Sequence, residues 1–571
     1  MRLTEGFNLL ATAPDGIKRL RELILNLAVQ GKLVPQDPND ELASVLLQKI
    51  RAEKDRMIAE GKIKKDKSLP AICDDEKPFE LPEGWEWVRL PDISHNWGQE
   101  TPSQQFTYID VASVDNLRGE ITEDVQVLDA ADAPSRARKI VKKGTVIYST
   151  VRPYLKNIAV IEKNYEPGAI ASTAFAILHP HTGIHAQFLL TCLRCAYFTD
   201  FVSSKMIGVA YPAINDANFF QGVIPLPPLA EQSRIVAKVE ELMALCDALE
   251  ARGQLEDEQH ARLTATLFDA LAASESAHQL QENWARLAAS FDLVLDRPEA
   301  IDALEQTLLQ LAVRGLLVPQ DPADEPACEL LKQIRAEKDR LIAEGKLKKD
   351  KPMPAITDDE KPFVPPQGWE WARLGDISTL QGGFAFESGR FISGGSNQVV
   401  RMGNVRPSFL RLNENPVFIK DELAIETDAY QLLPGDIILT MTGTKNKRDY
   451  LYSCLVSENA MKGKRLYLNQ RLCKVRLCQL DKVFFDLAFK DDLLLDVIFA
   501  SSTGTANQAN IGMKALSLWV LPIPPLAEQS RIVARVEALR ALCTQLRERL
   551  ATSQKIQTHL AETLVESIAY G

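Results

Sequence analysis

A thirteen-residue segment occurs twice in this chain, and it restricts the possible folds more than any other feature. The first copy, PLPPLAEQSRIVA, occupies residues 225–237, and the second, PIPPLAEQSRIVA, occupies residues 522–534. The prolines favour extended backbone and cannot lie inside a helix. The carboxylate that follows them, Glu231 or Glu528, suits the first turn of a helix, where the helix dipole favours an anion. Each copy therefore predicts an extended proline segment that leads directly into a helix.

Both predicted helices have one apolar edge, because apolar residues recur at alternating steps of four and three, as in a coiled coil. The seam residues are Ile235, Val239, Leu242, Cys246 and Leu249 in the first helix, and Ile532, Val536, Leu539, Cys543 and Leu546 in the second. Midway the seam becomes polar, at Gly253, Glu256 and His260 in one helix and at Ser553 and Gln557 in the other. Each helix is the obvious partner of the other, and the polar centre could set their register. Packing into an ordinary core would give the same pattern.

The rest of the chain is also duplicated, but its middle parts differ. The segment LAVQGKLVPQDP at residues 27–38 returns as LAVRGLLVPQDP at 311–322, and GWEW at 84–87 returns from Gly368. The offset is 284 residues for these segments and 297 for the proline segments, so the second middle is longer. A repeated frame around two different middles is expected of two readers of two different targets. Doubling for stability alone is the alternative, but it gives no reason for the middles to diverge.

Each half predicts the same order of elements. In the first half we expect helices over about 17–29 and 41–60, strands at 145–148, 158–161 and 174–178, and a helix over 186–201. In the second half we expect helices over about 301–313 and 326–344 and a strand at 436–439. The middle blocks, 84–224 and 368–521, therefore mix strands and helices, so the fold class is α/β (α+β).

Size and charge set further limits. A chain of 571 residues is too long for one core, and it has no apolar run long enough to span a membrane. Nine cysteines scattered through apolar stretches suit the reduced thiols of a cytoplasm. The formal charge of −11 alone argues against a nucleic-acid partner. In a chain of several domains, however, one basic face is sufficient for such a partner.

The motifs of common enzymes are missing from the sequence. It has no G-x-x-x-x-G-K-[ST] phosphate loop, no G-x-G-x-x-G and no tetrad of the kind that amino-methyltransferases use. His179, His181 and His185 lie close together without a cysteine or carboxylate, which favours a turn between elements over a metal site. Cys192 and Cys195 form one isolated pair, which favours buried core thiols. We therefore expect neither a catalytic residue nor a metal or cofactor site in this chain.

Basic, amide and aromatic residues occur in the predicted loops of both middle blocks. Arginine can bridge phosphates or the edge of guanine, tyrosine can stack, and asparagine and glutamine suit adenine. The candidate DNA-binding residues of the first block are Arg136, Arg138, Lys139, Thr150, Arg152, Tyr154, Lys156, Lys205 and Tyr211. Those of the second block are Thr444, Lys445, Lys447, Arg448, Lys464, Arg465, Asn469, Gln470, Arg471, Asn507 and Gln508. Ordinary solvated loops are the alternative, because charge runs are common on protein surfaces.

Three repeated motifs together resemble a known family. They are the segment P-x-P-P-L-A-E-Q-x-R-I-V before a heptad helix, the segment LVPQDP, and the segment P-x-G-W-E-W at Pro82 and Pro366. These motifs resemble the specificity (S) subunit of a Type I restriction-modification system over nearly the whole chain. The resemblance implies two target recognition domains, each reading one half of a bipartite, asymmetric site in double-stranded DNA. It also implies that the long helices form an antiparallel coiled coil, with pseudo-twofold symmetry from the tandem repeat.

The resemblance also implies partners and a division into domains. Two modification (methyltransferase) subunits would carry S-adenosylmethionine, and restriction (nuclease/translocase) subunits would use ATP and Mg, so this chain would be non-catalytic. The expected domains are 1–83, an N-terminal helical region; 84–228, the first recognition domain; 229–284, the central spacer helix; 285–367, the repeated helical region; 368–525, the second recognition domain; and 526–571, the C-terminal spacer helix. The helical region that precedes the first block departs from some family members, and we interpret it as docking surface for modification subunits.

Stiff spacer helices would act as a ruler. A helix of about 40 residues spans about 60 Å at about 1.5 Å per residue. Two readers on one side of B-DNA need separations near one helical turn, about 34 Å, or a multiple of it. Two other functions stay open: an adaptor that bridges protein subunits without sequence-specific DNA binding, and an enzyme with an unrecognised site.

Overall fold

The computed structural model describes residues 9–65, 69–208, 210–347, 352–444, 447–461, 463–505 and 508–570. The candidates Lys445 and Asn507 lie outside these residues. The chain forms two compact units: Met1–Glu256 with Ser553–Gly571, and Asp257–Thr552. Each unit holds one middle block. Within the described residues, no helix is both long and apolar enough to cross a membrane.

The first half of the chain contains helices α1 to α9 and strands β1 to β12. The helices are α1 Gly16–Val29, α2 Ala43–Ala59, α3 Leu90–Ile93, α4 Ala186–Arg194, α5 Ala196–Ser204, α6 Asp216–Phe219, α7 Leu229–Ala272, α8 Ala277–Ala289 and α9 Phe291–Val294. The strands are β1 Glu86–Arg89, β2 Ser94–His95, β3 Phe106–Ile109, β4 Val114–Asp115, β5 Glu120–Ile121, β6 Gln126–Leu128, β7 Ala137–Ile140, β8 Val146–Ser149, β9 Ile158–Val160, β10 Ala169–Ser172, β11 Phe175–Pro180 and β12 Val223–Leu226.

The second half contains helices α10 to α18 and strands β13 to β26. The helices are α10 Pro298–Val313, α11 Ala327–Ala343, α12 Leu374–Ile377, α13 Asp421–Glu426, α14 Glu458–Met461, α15 Lys482–Ala488, α16 Asp492–Phe499, α17 Met513–Leu518 and α18 Leu526–Tyr570. The strands are β13 Glu370–Arg373, β14 Ser378–Gly382, β15 Asn397–Val400, β16 Val405–Arg406, β17 Phe409–Leu410, β18 Gln431–Leu432, β19 Ile437–Thr440, β20 Thr442–Gly443, β21 Ser453–Leu455, β22 Arg465–Leu468, β23 Leu472–Leu477, β24 Thr503–Thr505, β25 Gln508–Asn510 and β26 Val520–Ile523.

The two middle blocks share one sheet topology although their sequences differ. The first block has a four-stranded antiparallel sheet, β2-β11-β8-β9, and the second has its counterpart, β14-β23-β19-β21. Beside it, each block has a second sheet that contains one parallel pair, β3 with β10 in the first block and β15 with β22 in the second. The mixed α/β class is therefore confirmed, and the repeat includes the fold of the middles.

Each block begins and ends on the same two-stranded ladder. Strand β1 pairs antiparallel with β12, so that Trp87 lies opposite Pro225, and β13 pairs in the same way with β26. The proline segments are thus extended, as the prolines predict. Because this ladder joins the two ends of the block, whatever lies between them can change without moving the ends.

Most expected helices and strands are found within a few residues of their expected bounds. The expected helix over 186–201 is interrupted at Cys195, whose backbone is extended, and it therefore forms the two helices α4 and α5. Helix α8 was not expected from the sequence. Cys192 and Cys195 are buried core thiols, and burial raises the pKa of Cys195 to about 12. The sequence predicts a turn around the three histidines. The structure has a turn only at Thr182 and Gly183, and His179 lies inside strand β11.

Each long helix packs with a short helix of the repeated region and with the end of the other long helix. In the first unit, Ile235, Val239 and Cys246 of α7 share a buried core with α1 and with Ala561 and Leu564 of α18. In the second unit, the α18 residue Cys543 shares a core with α10 and with the α7 residues Phe268 and Leu271. The start of each long helix thus shares a core with the end of the other, the order expected of antiparallel helices.

The short helices α1 and α10 contact the long helices through ion pairs as well. Arg21 of α1 binds Asp247 and Glu250 of α7 at 2.6 and 2.8 Å, and Arg547 of α18 binds Asp302 and Glu305 of α10 at 2.6 and 2.8 Å. Leu242, Leu539 and Leu546 pack against these cores, Ile532 and Val536 lie in the core of the second block, and Leu249 is half-buried. The seam therefore faces a third helix in each unit, which the heptad pattern did not reveal.

One buried contact joins the three repeated motifs in each unit, and we name it the frame contact. In the first unit the Glu231 carboxylate accepts hydrogen bonds from Trp85 Nε1 at 2.9 Å and from Gln36 Nε2 at 3.3 Å. In the second unit Glu528 accepts from Trp369 at 3.0 Å and from Gln320 at 3.2 Å. Glu231 is 1% exposed, and burial raises its pKa while the two hydrogen bonds lower it. The carboxylate thus joins the segments PPLAEQ, GWEW and LVPQDP.

Replacing the central carboxylate of the frame contact by an amide tests this role. In Glu231→Gln one oxygen can still accept a hydrogen bond, but the amide nitrogen meets a second donor. A buried donor left unpaired costs about 1–3 kcal/mol. We expect Glu231→Gln to lower the unfolding free energy by that amount, and Glu528→Gln to act likewise on the second unit. Calorimetric and denaturant unfolding would measure it, and Glu240→Gln, at an exposed site of α7, is the matched control. Wild-type stability in both frame variants would contradict this role.

An ion pair between Arg373 and Glu360 predicts that the stability of the second unit depends on pH. Arg373 is 2% exposed and donates two hydrogen bonds of 3.0 Å to the Glu360 carboxylate, which lowers the pKa of Glu360 from 4.5 to about 2. A depressed carboxylate pKa stabilises the fold above the unfolded value, and this contribution is lost as the pH falls. We therefore expect the stability difference between wild type and Glu360→Gln to be constant near pH 7 and to shrink between about pH 4.5 and 2. Denaturant unfolding at several pH values measures it, with Asp359→Asn as control; a difference that does not vary with pH would be inconsistent with the ion pair.

Candidate nucleic-acid interface

Two loops of the first block are joined at the end of strand β8. Residues 150–156 follow β8, and residues 206–214 follow helix α5, with Val209 outside the described residues. Arg152 N donates to Pro212 O at 2.8 Å, and Ile214 N donates to Thr150 O at 2.9 Å. We name these segments loop pair A. It brings together candidates that are about 60 residues apart in the sequence.

Loop pair A carries an arginine held over an aromatic ring. The Arg152 guanidinium lies 4.7 Å from the centre of the Tyr211 ring, and Tyr211 is 71% exposed. Tyr154, in the short turn Pro153–Leu155, is 47% exposed, and Lys205 is also exposed. Lys156 follows directly and is half-buried. The loop pair thus presents cations and aromatic faces together, a combination that suits nucleic acid.

The edge strand β7 lies next to loop pair A. Thr173 N donates to Arg136 O, and Thr150 N donates to the carbonyl of the adjoining Ala174, both at 2.8 Å. Arg136 is exposed, and Arg138 donates to the carbonyl of Ala137. The first-block candidates therefore converge on one region of the unit.

The side chains of two of these candidates make contacts within the protein. Lys139 is 8% exposed, and its Nζ lies 3.1 Å from the Asp216 carboxylate. Thr150 is buried, and its hydroxyl donates to Ala174 O. Neither side chain offers a free group to a ligand in this arrangement, a distinction that residue type alone cannot make.

The second block has a matching pair of loops. Strands β20, β25 and β24 form a small sheet in which Thr442 lies opposite Asn510 and Gly443 opposite Ala509. We name the described residues of 442–450 and 501–510 loop pair B. Thr444 donates from its backbone N and its hydroxyl to Asp449, and the backbone bond lowers the pKa of that carboxyl. Lys447 and Gln508 are exposed on this loop pair.

Arg448 belongs to loop pair B, but its charge is already compensated. Its guanidinium lies 2.5 Å from Asp496 and 5.3 Å from the centre of the Phe499 ring. The turn Asn469–Arg471 lies close by, because Met441 N donates to Arg471 O at 2.8 Å. Gln470 and Arg471 are exposed there, so this turn extends the polar surface of loop pair B.

Lys464 and Arg465 lie away from loop pair B. They stand at the start of β22, whose four residues span about 13 Å before the turn at Asn469. Lys464 Nζ donates to Gln398 Oε1 at 3.2 Å, and Arg465 lies 3.3 Å from Asp421. The structure therefore does not bring these two candidates to the loops.

The structure adds two features that the residue pattern did not supply. Val151 pairs with Ala213 at the position where Thr442 pairs with Asn510, so that Arg152 corresponds to Gly443 of the second block. Near Gly443, the Thr442 hydroxyl contacts Met402 Sδ at 3.1 Å, a residue that was not a candidate. No sequence signal marks either feature, because the loops differ in length and composition.

Several known proteins resemble this chain over nearly its full length. Residues 82–257 and 366–557 match the family described as Type I restriction modification DNA specificity domain. The chain is 37% identical over 582 residues to the Type I restriction enzyme EcoEI specificity subunit from Escherichia coli, covering 97% of this chain and 94% of the relative. It is 36% identical over 570 residues to the EcoAI specificity subunit from Escherichia coli, with the same two coverages of 97% and 94%.

The fold also has a counterpart among solved structures. A chain from a study of complex assembly and conformational transition of the type I R-M system matches with a TM-score of 0.51 and 22% identity. The match covers 86% of this chain and 100% of that chain. At this identity the likeness concerns the fold alone.

Proposed function

This chain belongs to the family of Type I restriction-modification DNA specificity subunits, and we propose that its middle blocks each read one half of a bipartite, asymmetric DNA site. One observation carries this proposal. Loop pairs A and B stand at the same place in the two blocks, after β8 and after β19, but present different side chains. Two equivalent loop positions with unlike residues are what two unlike half-sites require.

The adaptor hypothesis accounts for less of the structure. An adaptor needs the repeated frame, but it has no need for two exposed tyrosines beside an arginine at loop pair A. The family match is to a DNA specificity domain and includes both middle blocks. The specificity-subunit function is therefore favoured over a protein bridge without sequence preference.

The long helices would set the gap between the half-sites. Their polar centre, around Glu256 and Ser553, coincides with the boundary between the two compact units. Apolar packing on α1 and α10 stiffens the parts of the helices on either side of this centre. A stiff spacer fits a single gap length, whereas a flexible one would accept several.

We infer the partners and cofactors from membership of this family. The chain would join double-stranded DNA to two modification subunits and to restriction subunits, and the repeated helical regions 1–83 and 285–367 would contribute docking surface. S-adenosylmethionine, ATP and Mg would bind to those partners, while this chain would be non-catalytic. We keep the domain boundaries at 84–228 and 368–525 for the recognition domains, and we place the complex in the cytoplasm.

Exchanging one block tests the reading function. We expect replacement of residues 84–224 by the corresponding block of the EcoEI specificity subunit to change the first half-site to that of the donor. The second half-site and the gap should stay unchanged, because the β1–β12 ladder closes the block on itself. Sequencing of methylated DNA from cells with the complete system reads the outcome, and the reciprocal exchange of 368–521 is the matched control. An unchanged methylated site after both exchanges would refute the proposal.

Lengthening the helices tests the spacer function. One heptad inserted after Glu256 in α7 and one after Thr552 in α18 adds about 10 Å to each, close to three base pairs of B-DNA. We expect a longer preferred gap with both half-site sequences unaltered. Methylation of a set of sites that differ only in the gap measures the change, and exchange of seven residues without insertion is the control. A changed half-site at an unchanged gap would contradict the spacer model.

A further inference from the structure

We propose that Arg152 reads a guanine in the first half-site through the major groove, and that Tyr211 is the residue that positions its guanidinium. This inference rests on the proposed function and specifies which base is read and which residue contacts it. A guanidinium can donate two parallel hydrogen bonds to O6 and N7 of guanine. Such a contact needs a guanidinium that is not paired with a carboxylate of the protein and that is held in one orientation.

Arg152 meets the first requirement. Among the described residues no carboxylate lies within ion-pair distance of it, and its Nε is buried without a hydrogen-bond partner. Three other candidates have their charge paired with a carboxylate of the protein: Lys139 with Asp216, Arg448 with Asp496 and Arg465 with Asp421. No carboxylate of the described residues neutralises the Arg152 guanidinium, so its charge remains for a ligand.

The backbone around Arg152 meets the second requirement. Arg152 and Lys156, at the two ends of the turn, have left-handed φ values of 48° and 53°, which residues with a side chain rarely adopt. Pro153 is buried and fixes its own φ, and Asn116 Nδ2 donates to Leu155 O at 2.9 Å. Such backbone persists only where the surroundings determine it. The turn is thus pre-organised before DNA arrives.

Tyr211 completes the arrangement from the opposite loop. The Arg152 guanidinium lies over the Tyr211 ring, 4.7 Å from the ring centre, which is a cation–π contact. The hydrogen bond from Arg152 N to Pro212 O holds the two loops together. A ring on one face of the guanidinium leaves its edge available for a base. The tyrosine hydroxyl has no part in this contact.

The remaining cations of the first block fit another role. Arg136 and Lys205 are exposed, and no ring contact or ion pair with a described residue holds their charged groups. Long exposed cations suit phosphates, which position the protein without reading sequence. In the second block Gly443 occupies the position of Arg152, so this guanine contact belongs to the first half-site alone.

Variants of the two residues test the inference in the full chain, assembled with its modification subunits. The probe is a library of duplexes that carries each base at each position of both half-sites, and methylation rate is the readout. We expect wild type to require guanine at one position or more of the first half-site. In Arg152→Lys the preference for guanine at one of these should fall about 5- to 150-fold, the range of one bidentate contact. Tyr211→Phe should keep the preference, and Tyr211→Ala should lose several-fold of it.

Lys205→Ala, directly before the second loop of loop pair A, is the matched control. It should weaken binding to all sequences alike and reduce the salt dependence by about one phosphate contact. The second half-site should be unaffected in every variant. A uniform loss in Arg152→Lys with guanine preference intact, or a first half-site without a guanine requirement, would overturn the inference and leave the proposed function standing. A wild-type complex without base preference at any position would refute the proposed function itself.

Discussion

The rest of the structure depends on one buried carboxylate in each unit. Glu231 and Glu528 each bind a tryptophan and a glutamine from two other repeated segments, and thereby hold the start of a long helix against the beginning of a middle block. The next residue extends this connection. Gln232 accepts a hydrogen bond from the backbone N of His185, the residue before α4, and Gln529 accepts one from Asp481, the residue before α15. One helical turn thus orients both the base of the block and its internal helices.

This arrangement explains how one frame can carry two different readers. The ladders β1–β12 and β13–β26 close each block at its base, where the frame contact lies. The loop pairs extend from other strand ends, β8 and β19, so they can change in length and charge without disturbing the base. At equivalent positions of the loop pairs, for example, one block has Arg152 and the other has Gly443. The side chains at the loops can therefore change while the frame stays the same.

The repeated motifs gave the fold class and the order of elements, because proline segments, heptads and glycine stops are local signals. The packing of α1 and α10 against the long helices could not be predicted, since the apolar face of either short helix is equally compatible with any core. Glu231 lies in the first turn of α7, as the sequence predicts. Its second role, as a buried acceptor for Trp85 and Gln36, could not be predicted, because both partners are distant in the sequence.

The candidate DNA-binding residues also could be predicted only in part from the sequence. Residue type identifies lysine and arginine in the loops of the middle blocks, but only the folded structure shows which of their charges are compensated by other residues. Lys139 forms an ion pair with Asp216, and Lys464 lies just before β22, whereas no carboxylate of the described residues pairs with Arg152. These distinctions depend on partners more than 20 residues away, which no local pattern contains.

The central claim is that the frame contact fixes the first block on its long helix, and a distance measurement within the first unit tests it most directly. Spin labels on cysteines introduced at the exposed positions Asn164, in the block, and Ala237, in α7, would report their separation in a chain with the exposed Cys73 and the partly exposed Cys328 and Cys478 changed to serine. The account predicts one narrow distance distribution that broadens when Glu231 is replaced by alanine. A broad distribution in the otherwise wild-type chain, or one that stays narrow without the carboxylate, would contradict it.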